Sequence, residues 1–195
     1  MIVGILLAAG AATRFGGGKL LAELADGRCL AEHSCAALRP AVNRLIAVVR
    51  PGSDALAARL AAAGAEVCIC ADAGQGMGAS LAYGVAQAPE ADGWLIALGD
   101  MPLVAPADVQ GVADALRAGA PIAVPVAAGR RGHPVGFAQR FATELMALSG
   151  DAGARTILAS HAADIIEVPI SDARTWLDVD TGDDLEAAKG LLKAI

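Results

Sequence analysis

The chain has 195 residues, of which 55% are hydrophobic and 18% charged, enough for one sizeable core and too apolar for a disordered chain. Its formal net charge of −6, with no dense basic patch, excludes a general grip on nucleic acid or on an anionic membrane. Aromatics are only 3%, so Ala, Val, Leu and Ile must build the core, which favours close packing of helices on a sheet. Cysteines stand at 29, 35, 68 and 70 without histidines at metal-binding spacing, and they read as small structural residues rather than as a zinc site. The opening MIVGILLAAG has no charged leader and reads as a strand and turn, and no long uncharged apolar run follows. The cytoplasm is the expected location, with no membrane partner.

In chain order, short apolar runs alternate with helical patterns. Residues 2–9 predict a strand, 30–40 a helix, 44–50 a strand, 53–64 a helix and 65–70 a strand. The series continues with a helix at 79–88, a strand at 93–99, a helix at 105–119 and strands at 121–127 and 164–170. Two further helices flank the Gly-Asp break of FATELMALSGDAGARTILASH (141–161). A closing helix follows Thr181, its expected N-cap, with Asp183 and Asp184 in the first turn. Steady alternation of this kind predicts an α/β chain with a mostly parallel central sheet and helices on both faces. The continuous apolar strands agree, since both faces of such a sheet are covered. No linker divides the chain, so residues 1–195 read as a single domain.

Ligands of parallel sheets bind beyond the carboxyl ends of the strands. After the first strand comes LLAAGAATRFGGGKLL (6–21). Its small residues let backbone N–H groups approach an anion, while Arg14 offers a planar fork and Lys19 a mobile point charge. The stretch matches neither G-x-x-x-x-G-K-[ST] nor G-x-G-x-x-G, so it is not a P-loop or a dinucleotide fingerprint. A solvated surface loop is the plain alternative. LIALGDMPLV places Asp100 just after a strand, and WLDVDTGDDL places Asp178 and Asp180 at alternate positions of an extended segment. Carboxylates of this kind hold Mg²⁺ together with phosphate oxygens, though a lone one is also a common turn former. GQGMGASLAYGV (74–85) offers Ser80 and helix amides, or simply a glycine turn, and Asp72 stands just upstream. GRRGHPVGF (129–137) carries His133 and reads on its own as a basic hairpin. SGDAGARTIL (149–158) carries Asp151 and Arg155, which could pair on one helix face.

These motifs, in this order, resemble the MobA/MocA-like nucleotidyltransferases, the family of the molybdenum cofactor cytidylyltransferases. The resemblance implies a three-layer, Rossmann-like nucleotidyltransferase fold whose first part, to about residue 105, mainly binds nucleotide, with the later part mainly binding the acceptor. It implies that Leu7, Ala8, Ala9 and Gly10 contact the nucleotide through backbone and that Arg14 and Lys19 hold its phosphates. Asp72, Ser80 and Asp100 would complete the nucleotide site. Mg²⁺ would sit on Asp100 and Asp180, with Asp178 the weaker candidate. Arg14, Lys19 and Asp100 would carry catalysis, and His133, Asp151 and Arg155 would border the acceptor. One departure stands next to Asp72: relatives carry Asn-Pro where this chain has Cys70 and Ala71. The implied reaction moves CMP from CTP to the phosphate of molybdopterin or its molybdenum form and releases pyrophosphate. Ala9, where guanylyl-transferring relatives tend to have Gly, points to CTP. Alternatives within the family are a GTP-using enzyme and a sugar- or polyol-phosphate nucleotidyltransferase. A non-catalytic carrier that delivers the cofactor to a molybdenum hydroxylase partner is the reading outside it.

Overall fold

The computed structural model describes residues 1–10, 15, 17–170 and 172–192. The first strand, β1 (Ile2–Ala8), is buried along its whole length and alternates between two cores. Ile2, Leu6 and Ala8 face one cluster, and Val3, Ile5 and Leu7 face the other. This period of two on both faces is what a strand covered on both sides requires.

Helix α1 (Leu30–Leu38) follows, opened by a reciprocal cap in which Glu32 accepts from the Cys29 N–H. Then come β2 (Arg44–Val49), α2 (Asp54–Ala62), β3 (Glu66–Ile69), α3 (Met77–Ala86), β4 (Gly93–Leu98) and α4 (Pro106–Arg117). Strands β3, β2, β1 and β4 lie side by side in that order, all parallel. Helices α1, α2 and α4 cover one face, with Leu38, Leu60 and Val112 in its core. The other face takes α3 together with α5 (Ala142–Met146) and α6 (Arg155–Ser160), through Leu81, Leu145 and Ile157. Gly84 explains how α3 sits so close: a Cβ there would lie 2.8 Å from methyl carbons of both Ile5 and Val48. A mid-helix glycine costs about 1 kcal/mol in propensity, and here close helix–sheet contact offsets it.

The strands expected near 2–9, 44–50, 65–70, 93–99, 121–127 and 164–170 are present, the last two as β5 (Ile122–Ala127) and β8 (Ile165–Pro169). Two further strands stand where a hairpin was read: β6 (Arg130–Arg131) and β7 (Val135–Ala138). β7 inserts between β4 and β5, antiparallel to both, while β8 pairs with β5 in parallel. β5 and β6 are joined by Ala128 and Gly129, both with positive φ (49° and 73°), as a two-residue hairpin turn demands. The closing helix α7 (Gly182–Leu192) starts after Thr181, whose Oγ1 accepts from the Asp184 N–H at 3.2 Å. Segment 177–180, read as extended, forms no strand. Among the described residues, no helix is long and apolar enough to cross a membrane.

Candidate active site

The carboxyl ends of β1, β2 and β4 open onto one cleft. Chain reversal after β1 is completed by Gly17 and Gly18, both at positive φ, and a 3-10 turn over Lys19–Leu21 then drives Lys19 inward until it is 8% exposed. Its ammonium meets carboxylates from two remote segments: Nζ donates to Asp100 Oδ2 at 2.9 Å and to Asp180 Oδ1 at 2.7 Å. Burial pulls the Lys19 pKa down, but hydrogen bonds and charge from Asp180 and Asp100 outweigh it and leave the group above its ordinary 10.5. The lysine is therefore a held cation at neutral pH.

Each acid is placed by local structure. Asp100 follows β4, whose end is tied to β1 by Gly99 N–H to Leu7 O (3.0 Å). The Asp100 carbonyl accepts from Val179 N–H at 3.0 Å, which brings the 177–180 segment alongside. Asp184 at the start of α7 then accepts from the backbone N–H groups of Asp180 and Thr181, at 3.1 and 2.8 Å. The Thr181 hydroxyl, which donates to the same carboxylate at 2.7 Å, together with those backbone bonds holds the Asp184 carboxyl below its usual range and ties down the turn that carries Asp180. Asp178 is exposed, and no bond of its carboxylate occurs among the described residues.

Asp100 Oδ1 is buried and, among the described residues, has no hydrogen-bond partner. An unsatisfied buried carboxylate oxygen costs on the order of 1–3 kcal/mol or more. A divalent cation would satisfy it, and Mg²⁺ characteristically takes one or two protein carboxylates plus phosphate oxygens and water. Asp100 and Asp180 thus suit such an ion. No group of three or more metal-ligating side chains occurs among the described residues.

The cleft has a volume of about 360 Å³ and is lined by Leu7, Ala9, Gly10, Lys19, Ser80 and Asp100, among others. It continues, across shared Gly10, Lys19, Leu20 and Arg50, into a second hollow of about 350 Å³ that includes Ala8, Gly17 and Gly18. Arg14 lies outside the described residues. Ser80 is buried at the wall on α3. Asp72 does not line the cleft; it is exposed, and its carboxylate accepts from Gln75 Nε2 at 2.8 Å.

Two glycines of GQGMG, Gly76 and Gly78, have a packing role. A Cβ on Gly76 would collide with the Gly150 backbone, and one on Gly78 would lie 2.6 Å from Ser149 O. Gly78 N–H also donates to Gly150 O at 2.7 Å. This contact docks the SGD turn against α3 and sets Asp151 on the rim of the cleft. No Asp151–Arg155 ion pair forms among the described residues, and Arg155 is exposed. His133 precedes a cis proline, is half-buried, and has Nδ1 3.4 Å from Ile96 O. Burial lowers its pKa, so the ring is neutral at pH 7. Neighbouring Gly132 packs directly on the indole of Trp176, leaving no room for a Cβ. Trp176 closes the 3-10 turn that leads into the Asp180 segment, so the hairpin supports the acid indirectly.

Reading the sequence missed Arg50. It directly follows β2, lines both hollows and, among the described residues, forms no hydrogen bond or ion pair. Its signal was available: a cation at the carboxyl end of a parallel strand, just before a Pro-Gly turn.

The model of the MobA-like NTP transferase domain matches residues 4–165. The chain is similar to the crystal structure of Rv0371c from Mycobacterium tuberculosis H37Rv, with 31% identity over 97% of this chain and 98% of that one and a TM-score of 0.85. A structure of the same mycobacterial protein complexed with manganese matches at 30% identity, covering 100% and 99% of the two chains, with a TM-score of 0.79. A molybdopterin-guanine dinucleotide biosynthesis protein A from Archaeoglobus fulgidus, 22% identical over the full length of both chains with a TM-score of 0.69, shares the fold. No curated protein matches the chain.

Proposed function

We propose, for a chain that belongs to the family of MobA-like NTP transferase domains, a Mg²⁺-dependent transfer of CMP from CTP to the phosphate of molybdopterin or its molybdenum form. The observation that carries this reading is the convergence of Lys19, Asp100 and Asp180 on one point at the mouth of a nucleotide-sized cleft. An oxygen of the acceptor phosphate attacks the α-phosphorus, a new P–O bond forms, and the bond to the bridging oxygen breaks so that pyrophosphate leaves. The acceptor monoester is ionised near neutral pH, so no general base is needed, and alignment and charge neutralisation do the work.

A divalent ion on Asp100 and Asp180 would neutralise phosphate charge there. Lys19 occupies the cation position between the two acids, and on nucleotide binding its ammonium transfers to phosphate oxygens. Backbone at Leu7–Gly10, whose side chains are small or turned into the core, lets the nucleotide approach closely. Arg14 adds a second phosphate contact, and Ser80 a polar contact from α3. The face built by residues up to about 105, completed by Asp180, takes the nucleotide. The later elements carrying His133, Asp151 and Arg155 take the acceptor.

Purified protein with Mg²⁺, a molybdopterin source and either CTP or GTP should release pyrophosphate and form a dinucleotide product with CTP. Turnover with GTP instead would reassign the base. Binding of the pterin without any turnover would mark a carrier.

A further inference from the structure

Arginines of this chain are usually matched: Arg28, Arg44, Arg59, Arg117, Arg131, Arg140 and Arg174 each pair with a carboxylate. Among the described residues Arg39, Arg50, Arg130 and Arg155 have no carboxylate partner, and of these four Arg50 alone stands on the wall common to both hollows of this acidic protein. We infer that Arg50 is a further substrate-binding residue, gripping the terminal phosphates of the nucleoside triphosphate and the pyrophosphate they become.

Position supports the assignment. Lys19 is bound to the two carboxylates, so the reacting end of the triphosphate belongs beside it. The hollow that continues past Lys19 is walled by Gly10, Gly17, Gly18 and Gly52, where added Cβ atoms would meet nothing within 4 Å. It is thus open space with backbone exposed, and beside Lys19, which the two acids hold, Arg50 is the second cation on the wall it shares with the first hollow. A guanidinium fork suits a phosphate chain and gains nothing comparable from a base or ribose. Arg50 is also anchored: it directly follows β2, whose last residue, Val49, accepts from the N–H of Cys70 just beyond β3 (2.9 Å), and Pro51 and Gly52 (φ 77°) turn the chain immediately afterwards. This assignment rests on the transferase reading of the cleft.

Calorimetry with inorganic pyrophosphate and with CMP, each in the presence of Mg²⁺, tests it on wild type, Arg50→Ala and Arg50→Lys. Arg50→Ala should weaken pyrophosphate binding about 10-fold or more with CMP unchanged, and Arg50→Lys should recover part of the loss. Pyrophosphate affinity equal to wild type in Arg50→Ala, equal weakening of CMP, or no pyrophosphate binding by the wild type would each overturn the inference. Circular dichroism of the variants separates a folding defect, which exposed Arg50 should not cause. Pyrophosphate binding that depends on Arg50, in a protein that releases none from any triphosphate, would instead sink the transferase reading.

Discussion

The two sides of the cleft are built on opposite principles. On one side, Lys19, Asp100 and Asp180 come from three distant segments and touch one another, with the lysine buried and each acid tied through its own backbone. On the other, the groups are scattered: Asp151 stands on the rim, His133 meets a backbone carbonyl beneath it, and Arg155 is exposed, with no ion pair among them in the described residues. Opposite charges that touch in a partly buried pocket are locked before any ligand arrives. Groups set apart in this way keep their freedom to adjust.

Removing the clamp should show the largest effect. Lys19→Met should lower turnover about 10²-fold or more, as loss of one key electrostatic contact does. The same variant should bind Mn²⁺ more tightly in the absence of nucleotide, because the ammonium no longer competes for the two carboxylates. Weaker Mn²⁺ binding, read by electron paramagnetic resonance, would refute that competition.

Gly132→Ala strikes the clamp from behind. With no space for a Cβ against Trp176, the variant should lose about 1–3 kcal/mol of stability, as overpacking does, and turnover should fall as the Asp180 segment shifts. Denaturant unfolding reads the first, and a changed Trp176 emission spectrum reports the displacement. Unchanged emission with normal stability would mean the hairpin does not support the acid.

His133→Gln probes the loose side and should be mildest: acceptor KM rises less than about 10-fold while kcat holds. Its pH signature has a definite sign. Burial depresses the folded pKa below 6.5, so the neutral ring contributes stability that is present above 6.5 and lost as pH falls through the depressed value. The drop in thermal midpoint between about pH 7.5 and about pH 5.5 should shrink in the variant. A drop as large as in wild type would assign the acid sensitivity elsewhere.

Much of this was legible from residue order. Alternating apolar runs and helical patterns marked the parallel strands, because a strand buried on both faces needs little but Val, Ile, Leu and Ala. Lys19, Asp100 and Asp180 stood out because each follows a strand or turn with its own local signature. The antiparallel β7 was not legible: VGFA is too short to reveal its partners, and β4 and β5 accept it only once both are in place. Asp72 and Asp178 show the limit of spacing arguments. Each sits near a loop at the cleft, yet both are exposed, Asp72 bonded to Gln75 and Asp178 in a segment that forms no strand.

Local chemistry along the chain thus dictated the α/β alternation and which charged residues stand just beyond the strands, since propensity, periodicity and turn preference act over a few neighbouring residues. Three-dimensional packing alone decided that Lys19 bridges Asp100 and Asp180, that Gly76 and Gly78 make room for the SGD turn, and that Arg50 lines the cleft with no partner among the described residues. Those outcomes depend on contacts between segments tens to more than a hundred residues apart, whose distances exist only after the sheet has closed around its two cores.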